Sequence, residues 1–219
     1  MVSTTERAYG GQSAQARRAQ RRARLLDAAM DVMAQNVWRG ATVEKLCTAA
    51  NLNKRYFYES FADLDALATA VVDDIADRVR SVTVAAADAA SQEPLEAQAL
   101  ASVTAAVRAL VDDPRRARVL LGGVAASPEL DAHRAGVMHR LTSVLIDHGR
   151  TVHGVELEKD PLAKVAPAFI VGGTADAILQ FVNGGVRLTL DEFIVQLTTL
   201  WLITGNGAAQ VARSRVSST

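Results

Sequence analysis

The chain has little cysteine, few aromatic residues and few prolines, and each scarcity excludes a class of protein. Cys47 is the single cysteine among 219 residues, which excludes an internal disulfide and a metal cage built from several cysteines of one chain. Aromatic residues make up only 5% of the chain, which disfavours strands, whereas abundant alanine favours helices. The sequence therefore predicts an all-helical protein of a reducing compartment.

Long apolar segments and a net charge are also missing. The N-terminus lacks the apolar core of a secretion signal, and charges such as Asp176 interrupt the apolar runs before they reach about 18 residues. We therefore expect a cytoplasmic chain that is not exported and has no membrane partner. The formal net charge is +0, but residues 1–62 hold 10 basic and 5 acidic residues. This basic end is where an anionic partner such as nucleic acid is expected.

Residues 42–61 have the pattern of a helix-turn-helix. Thr42 is placed to cap a first helix over 43–50, Asn51 tolerates the left-handed conformation of a tight turn, and Asn53 is placed to cap a second helix. Two phenylalanines four residues apart anchor the second helix, which such a motif projects into a major groove of double-stranded DNA. We expect Arg55 and Tyr56 to contribute most to base choice. The DNA-binding residues predicted from the motif are Thr42, Asn53, Lys54, Arg55, Tyr56 and Tyr58.

Five arginines lie within residues 17–24, just ahead of this motif. An arginine run in an arbitrary protein is usually a solvated helix end. Next to a helix-turn-helix, however, a basic arm reaches phosphates or the adjacent minor groove. The arm residues predicted to bind DNA are Arg17, Arg18, Arg21 and Arg22.

Residues 24–67 resemble the TetR family of bacterial transcriptional regulators. The matching positions are Leu26, Ala28, Ala29, Gly40, Thr42, Val43, Ala50, Tyr58, Phe61 and Leu67. Asn51 replaces the family's usual glycine, Arg55 and Tyr56 replace small residues, and Leu64 replaces a common lysine, which removes one expected phosphate contact. The resemblance implies an all-α protein with an N-terminal three-helix DNA-binding domain and a larger C-terminal helical domain for ligand binding and dimerisation.

The predicted organisation has four parts. They are a mobile tail over 1–16, the DNA-binding domain over 17–62, the effector-binding and dimerisation domain over 63–204, and a frayed tail over 205–219. The resemblance implies that the helix starting at Leu64 links the two domains and transmits ligand binding by tilting.

The C-terminal domain is larger than dimerisation alone requires. Its alanine-rich stretch over 97–109 has two interpretations: the small side chains leave space for a small, largely apolar effector, or they pack tightly as a closed core. Three alternatives apply to Asp176 and Gln180: they contact that ligand, they hydrogen-bond across a dimer, or they face solvent. The candidate pocket residues are Val103, Val107, Met138, Leu141, Phe169, Asp176, Gln180 and Phe181.

The last two helices are apolar on all sides, which is typical of a central core or of a subunit interface. We favour the interface, because the resembled family pairs its last two large helices between subunits. The predicted homodimer residues are Gly172, Gly173, Phe193, Leu197, Leu200 and Trp201.

Catalytic and metal-binding patterns are missing from the sequence. It has no glycine-rich phosphate loop and no nucleophile elbow, and none of its histidines are spaced for helical metal chelation. We therefore predict no enzyme activity, no cofactor and no metal, and we interpret Cys47 as a packing residue with a redox switch as the alternative. The favoured function is a homodimeric repressor that binds a palindromic operator and is released by an effector. The alternatives are a DNA-binding protein without an effector and a helical enzyme.

Overall fold

The computed structural model describes residues 13–123, 127–153 and 160–216, and within these ranges the regular structure is entirely helical. This confirms the predicted fold class. A short 3-10 turn over Trp38–Gly40 joins the first two helices. The helices are α1 Ala14–Ala34, α2 Val43–Ala49, α3 Lys54–Tyr58, α4 Leu64–Ala89, α5 Leu95–Val111, α6 Pro114–Leu120, α7 Pro128–His153, α8 Leu162–Val182 and α9 Leu190–Val216.

Side-chain caps explain where the N-terminal helices begin. The Thr42 Oγ1 atom accepts a hydrogen bond from the Lys45 backbone N–H at 3.2 Å, and Asp63 Oδ1 accepts one from the Ala66 N–H at 2.7 Å. Each bond satisfies one of the backbone donors left unpaired in a first helical turn. These caps fix the starts of α2 and α4 at the residues that the sequence predicted.

The predicted chain ends differ from the structure. Ser13 caps α1, so the helix starts at Ala14, inside the predicted mobile tail, and the rest of that tail lies outside the described residues. The prediction of a frayed tail from 205 is wrong, because α9 continues to Val216. Buried Ala209 and Ala212 pack there, and the Arg215 guanidinium lies 3.3 Å from the Asp160 carboxylate near the start of α8. The predicted tail beyond Val216 lies outside the described residues.

A single cluster of buried apolar residues runs through both predicted domains. It connects Leu25 of α1 and Phe57 of α3 to Val72 of α4, Val107 of α5 and Phe193 of α9. Helix α4 packs along α5, α1 packs on α4 and α6, and α9 packs on α5 and α8. The helix-turn-helix is therefore in continuous apolar contact with the C-terminal helices.

Helix α8 differs from the other helices in its exposure. Within the part of the chain that the structure describes, its segment Val165–Val182 is one candidate membrane span by length and composition, and 17% of that segment is buried. Ile170 and Ile178 face the neighbouring helices, whereas Val165 and Phe169 are exposed. Helix α8 therefore has apolar side chains that the single chain leaves exposed.

Candidate nucleic-acid interface

The turn between α2 and α3 has the geometry that the sequence predicted. Asn51 has a φ of 51°, in the left-handed region that asparagine tolerates. The Leu52 N–H donates to the Cys47 carbonyl at 2.8 Å, which closes α2. Asn53 Oδ1 then accepts from the Tyr56 N–H at 3.2 Å and starts α3. Asn53 thus has a structural role as a helix cap.

Two phenylalanines fix the orientation of α3. Phe57 is fully buried, and its ring centroid lies 6.0 Å from that of Phe61. Because α3 is a short helix, burial of Phe57 turns Lys54, Arg55 and Tyr58 away from the core, and all three are exposed. These three side chains form a solvent-facing polar surface, which we call the α3 surface.

Each cation of the α3 surface is paired with a nearby carboxylate. Lys54 Nζ lies 3.2 Å from Glu44 Oε2, and Arg55 Nε donates to Glu59 Oε1 at 3.1 Å. The Arg55 side chain is nevertheless 83% exposed. Exposed ion pairs contribute only about 0.2–1 kcal/mol, so these contacts hold the two cations weakly.

The predicted basic arm is helical and partly engaged within the protein. Its arginines occupy the first turns of α1. An Nη atom of Arg18 donates to the Glu59 carbonyl at 2.6 Å, and the Arg22 guanidinium lies 5.2 Å from the Phe61 ring centroid. Arg18 and Arg22 thus contact the residues that follow α3, and both remain exposed. That the arm binds DNA stays a prediction.

Tyr56 is separated from the α3 surface. Its ring is half-buried beneath the Arg21 guanidinium, which lies 4.3 Å from the ring centroid. Arg21 also approaches Glu59 Oε2 at 3.6 Å. Tyr56 thus packs α3 against α1, in contrast to the exposed, base-reading position expected for it.

A cleft adjoins Tyr58 at the edge of the α3 surface. Its volume is about 460 Å³. The cleft was not predicted from the sequence, although Trp38 and Arg39 just before the helix-turn-helix were an available signal. The lining residues are Trp38, Arg39, Ala41, Val43, Tyr58, Ala62, Asp63, Leu64 and Asp65.

Cys47 lies beneath the motif, in α2. The side chain is buried, and desolvation raises the pKa of its thiol, with a smaller opposing effect from Lys54. A raised pKa leaves little thiolate at neutral pH, and thiolate is the reactive form. The packing interpretation is therefore the better supported one.

Arg115 joins the C-terminal helices to α1, a connection that sequence reasoning missed. Its guanidinium lies 2.6 Å from Asp31 and 3.0 Å from Asp27, both in α1, and 2.8 Å from Asp113. The hydrogen bond from Arg115 lowers the pKa of Asp113. The available signal was Asp113 followed by Pro-Arg-Arg. Asp31, however, is 84 positions from Arg115, so the contact with α1 could not be read from the sequence.

The predicted effector residues do not line one site. Val103 and Val107 are closed into the core, Met138, Leu141 and Phe181 are partly buried against it, and Phe169, Asp176 and Gln180 are exposed. Phe169 is 68% exposed because α8 turns it away from the face that carries Ile170 and Ile178. The three exposed residues therefore do not lie with the buried ones, and an effector site at the inner residues stays a prediction.

The predicted interface residues also differ in their burial. Phe193 and Leu197 are buried within the single chain, Phe193 stacking on Phe181 at 4.5 Å between ring centroids. Their assignment to a subunit interface is wrong, because α8 and α5 already cover that face of α9. Trp201 is partly buried, and its Nε1–H donates to Thr174 Oγ1 at 2.6 Å. Leu200 and the two glycines of α8 are exposed.

Comparison of the sequence with protein-family models and with curated proteins finds no match. Solved structures are similar in fold. The fatty acid degradation regulator FadR of Bacillus halodurans matches with a TM-score of 0.66 at 18% identity, over 88% of this chain and 96% of that one. The transcriptional regulator FadR of Bacillus subtilis, in complex with stearoyl-CoA, matches with 0.64 at 16%, over 82% and 96%.

A TetR-like transcriptional regulator from Rhodococcus sp. matches with a TM-score of 0.61 at 16% identity, over 86% of this chain and 96% of that one. Each match covers more than four fifths of this chain, so it extends well beyond the helix-turn-helix. The chain therefore has the fold of the TetR-family transcriptional regulators.

Proposed function

We propose that the chain is a DNA-binding transcriptional repressor that acts as a homodimer and responds to a small, largely apolar effector. The observation that carries the proposal is the α3 surface. A buried Phe57 holds a short helix outward, and the exposed side chains of that helix include Lys54, Arg55 and Tyr58. A short helix that presents cations and a phenol on a basic domain suits entry into a major groove.

DNA binding is tested with the full-length chain and random duplexes. Repeated selection defines a preferred sequence, and fluorescence anisotropy then compares that duplex with a scrambled one. A regulator prefers its site by roughly a thousandfold or more. Arg55→Ala should reduce that preference, because arginine reads guanine with two hydrogen bonds. Equal affinity of the wild type for both duplexes would refute the proposal and favour a protein that binds DNA without sequence control.

The homodimer is supported by an exposed apolar face on α8 and α9. Phe169 on α8 and Leu200 and Ile203 on α9 are 68%, 58% and 64% exposed. An added Cβ at Gly172 or Gly207 would meet nothing within 4 Å, so another helix can approach closely there. A second copy of the chain covers such a face and also supplies the second recognition helix that a palindromic site requires.

The proposed effector site consists of the buried and partly buried candidate residues only, namely Val103, Val107, Met138, Leu141 and Phe181. The FadR of Bacillus subtilis was solved with stearoyl-CoA. We propose a long-chain acyl thioester as the first ligand to test, with its acyl chain as the apolar part that enters the core and its charged coenzyme A group left outside. Val103 and Val107 are closed in the core, so binding requires helices there to separate. We propose that α7, which carries Met138 and Leu141, moves away from α4 and α8, on which it packs. A ligand that selects the separated arrangement lowers the affinity for DNA.

Reciprocal binding tests the effector. Stearoyl-CoA at a hundred times its dissociation constant should stabilise the protein by about 2.7 kcal/mol. It should weaken DNA binding roughly 5- to 150-fold, and saturating DNA should weaken its own binding by the same factor. Unchanged DNA affinity with bound thioester would remove it as the effector and leave DNA binding intact.

A further inference from the structure

We infer that Glu59 is a positioning residue for base recognition, because its two carboxylate oxygens face arginines from two different helices. This inference rests on the proposed function, since it assigns Arg55 to DNA. Glu59 follows α3 directly, at the C-terminal end of the helix. Its side chain is 34% exposed, so it lies at the border between the core and the α3 surface.

The first contact orients Arg55. Its Nε donates to Glu59 Oε1 at 3.1 Å, one helical turn further along the chain. A guanidinium that uses its Nε in this way still has both Nη groups available at its far end. Two parallel donors at that end match the O6 and N7 acceptors of guanine. Glu59 therefore presents Arg55 in the geometry that reads guanine.

The second contact fixes Glu59 itself. Oε2 lies 3.6 Å from an Nη atom of Arg21, and the Arg21 guanidinium stacks on Tyr56. The Glu59 carbonyl also accepts from Arg18 at 2.6 Å, which places a cation at the C-terminal end of α3. Arg18 and Arg21 of α1 thus fix the position of Glu59, and Glu59 in turn orients Arg55. Without them, a carboxylate at the end of so short a helix would be free to rotate.

The charge of Glu59 has a further consequence for selectivity. A carboxylate next to the α3 surface repels phosphates of every sequence, so it lowers the affinity for non-specific DNA. Its orienting effect on Arg55 applies only at a site with guanine in register. Both effects increase the ratio of specific to non-specific binding, which is the quantity that determines site choice.

The test uses full-length protein and the sequence preferred in the selection experiment. Wild type, Glu59→Gln, Arg55→Ala and the double variant are each titrated with that duplex and with duplexes changed at each base pair. Glu59→Gln keeps the shape of the side chain and the carbonyl that Arg18 contacts. Asp65→Asn is the matched control, because Asp65 is an exposed carboxylate in the first turn of α4 at the same edge of the molecule.

Glu59→Gln should lose about tenfold discrimination at the base pair that Arg55→Ala identifies, within the range of one bidentate contact. Its affinity for scrambled DNA should rise. In the Arg55→Ala background it should cause no further loss of discrimination, because Glu59 acts through Arg55. Asp65→Asn should shift all duplexes alike.

Two results would overturn the inference without affecting DNA binding. In the first, Glu59→Gln discriminates between the duplexes as strongly as the wild type; in the second, it binds all duplexes more weakly by the same factor. Additive losses in the double variant would overturn it as well. If the wild type does not discriminate at all, the inference and the proposed function both fail. Should circular dichroism show that Glu59→Gln is unfolded, Glu59→Asp replaces it. This variant keeps the charge but withdraws the carboxylate from Arg55 by one methylene, and it must show the same site-specific loss.

Discussion

Arg115 is the residue that joins the two halves of the molecule most directly through charge. It lies in α6, its side chain is 30% exposed, and it contacts Asp27 and Asp31 of α1. Asp113, which also caps α6, completes the cluster. One guanidinium therefore connects the cap of α6 to the helix that precedes the helix-turn-helix.

Replacing Arg115 by glutamine should lower the free energy of unfolding at neutral pH by about 1–2 kcal/mol, since a partly exposed network is worth more than an isolated surface pair. The native pKa of Asp113 is lowered by Arg115. The stability that this carboxylate contributes is therefore complete above its unfolded pKa and is lost as the pH falls through the lower, native pKa. The difference between wild type and variant should shrink from neutral pH towards about pH 3.

Urea unfolding at several pH values measures this difference. Arg80→Gln is the control, because Arg80 is more exposed and lies 3.7 Å from Asp77. It should change stability by less than about 0.5 kcal/mol. A constant loss in Arg115→Gln across the whole pH range would show that the cluster acts through packing rather than through charge.

Local polar chemistry was predictable at the residue scale, and distant pairing was not. The left-handed Asn51 and the caps Thr42 and Asn53 depend on neighbours within a few residues, so their chemistry is visible in the sequence. Arg18 and Glu59 are 41 positions apart. No spacing rule relates such residues, because their contact depends on how α1 and α3 pack.

At the element scale, the start of α9 is a capping box that was not anticipated. The Thr189 N–H donates to Glu192 Oε2 at 2.8 Å, and the Glu192 N–H donates to Thr189 Oγ1 at 3.3 Å. These bonds satisfy donors at both ends of the first turn. The backbone hydrogen bond from Thr189 lowers the pKa of Glu192.

Thr189→Ala should destabilise the protein by about 1 kcal/mol, the usual effect of losing an N-cap. Thermal and urea unfolding measure it. Thr199→Ala is the matched control, because Thr199 is an exposed threonine inside α9 whose hydroxyl bonds the Val195 carbonyl. Equal effects of the two substitutions would mean that the box does not stabilise the start of α9.

The helices α8 and α9 show where periodicity stops being informative. Both were predicted as helices, but a segment that is apolar on all sides does not reveal which side faces its own chain. Leu197 is 4% exposed and Leu200 is 58% exposed, although they are three residues apart and chemically identical. Only the positions of α5 and α8 decide which of them is core.

At the scale of the whole molecule, the exposed α8–α9 face predicts a dimer that a substitution can disrupt without unfolding the chain. Phe169→Glu should leave the chain folded and weaken self-association roughly a hundredfold or more, since burying an unpaired charge costs about 3 kcal/mol. Leu197→Glu should instead unfold the chain, because Leu197 is in the core. Sedimentation velocity and circular dichroism distinguish the two outcomes.

Val37→Glu is the control for charge alone, since Val37 is 54% exposed and lies just before the 3-10 turn between α1 and α2. It should remain as dimeric as the wild type. A Phe169→Glu protein that associates as strongly as wild type would place the interface elsewhere or leave this face to another partner, such as a membrane.

Hydroxyl-radical footprinting of the full-length protein on its selected duplex tests the proposal that two α3 helices of one dimer enter DNA together. We expect two symmetric protected half-sites, about one helical turn of 34–36 Å or a multiple of it apart, on one face of the duplex. Phe169→Glu should lose this paired protection at concentrations where the wild type is fully bound. Protection without symmetry, or an unchanged footprint in Phe169→Glu, would contradict it.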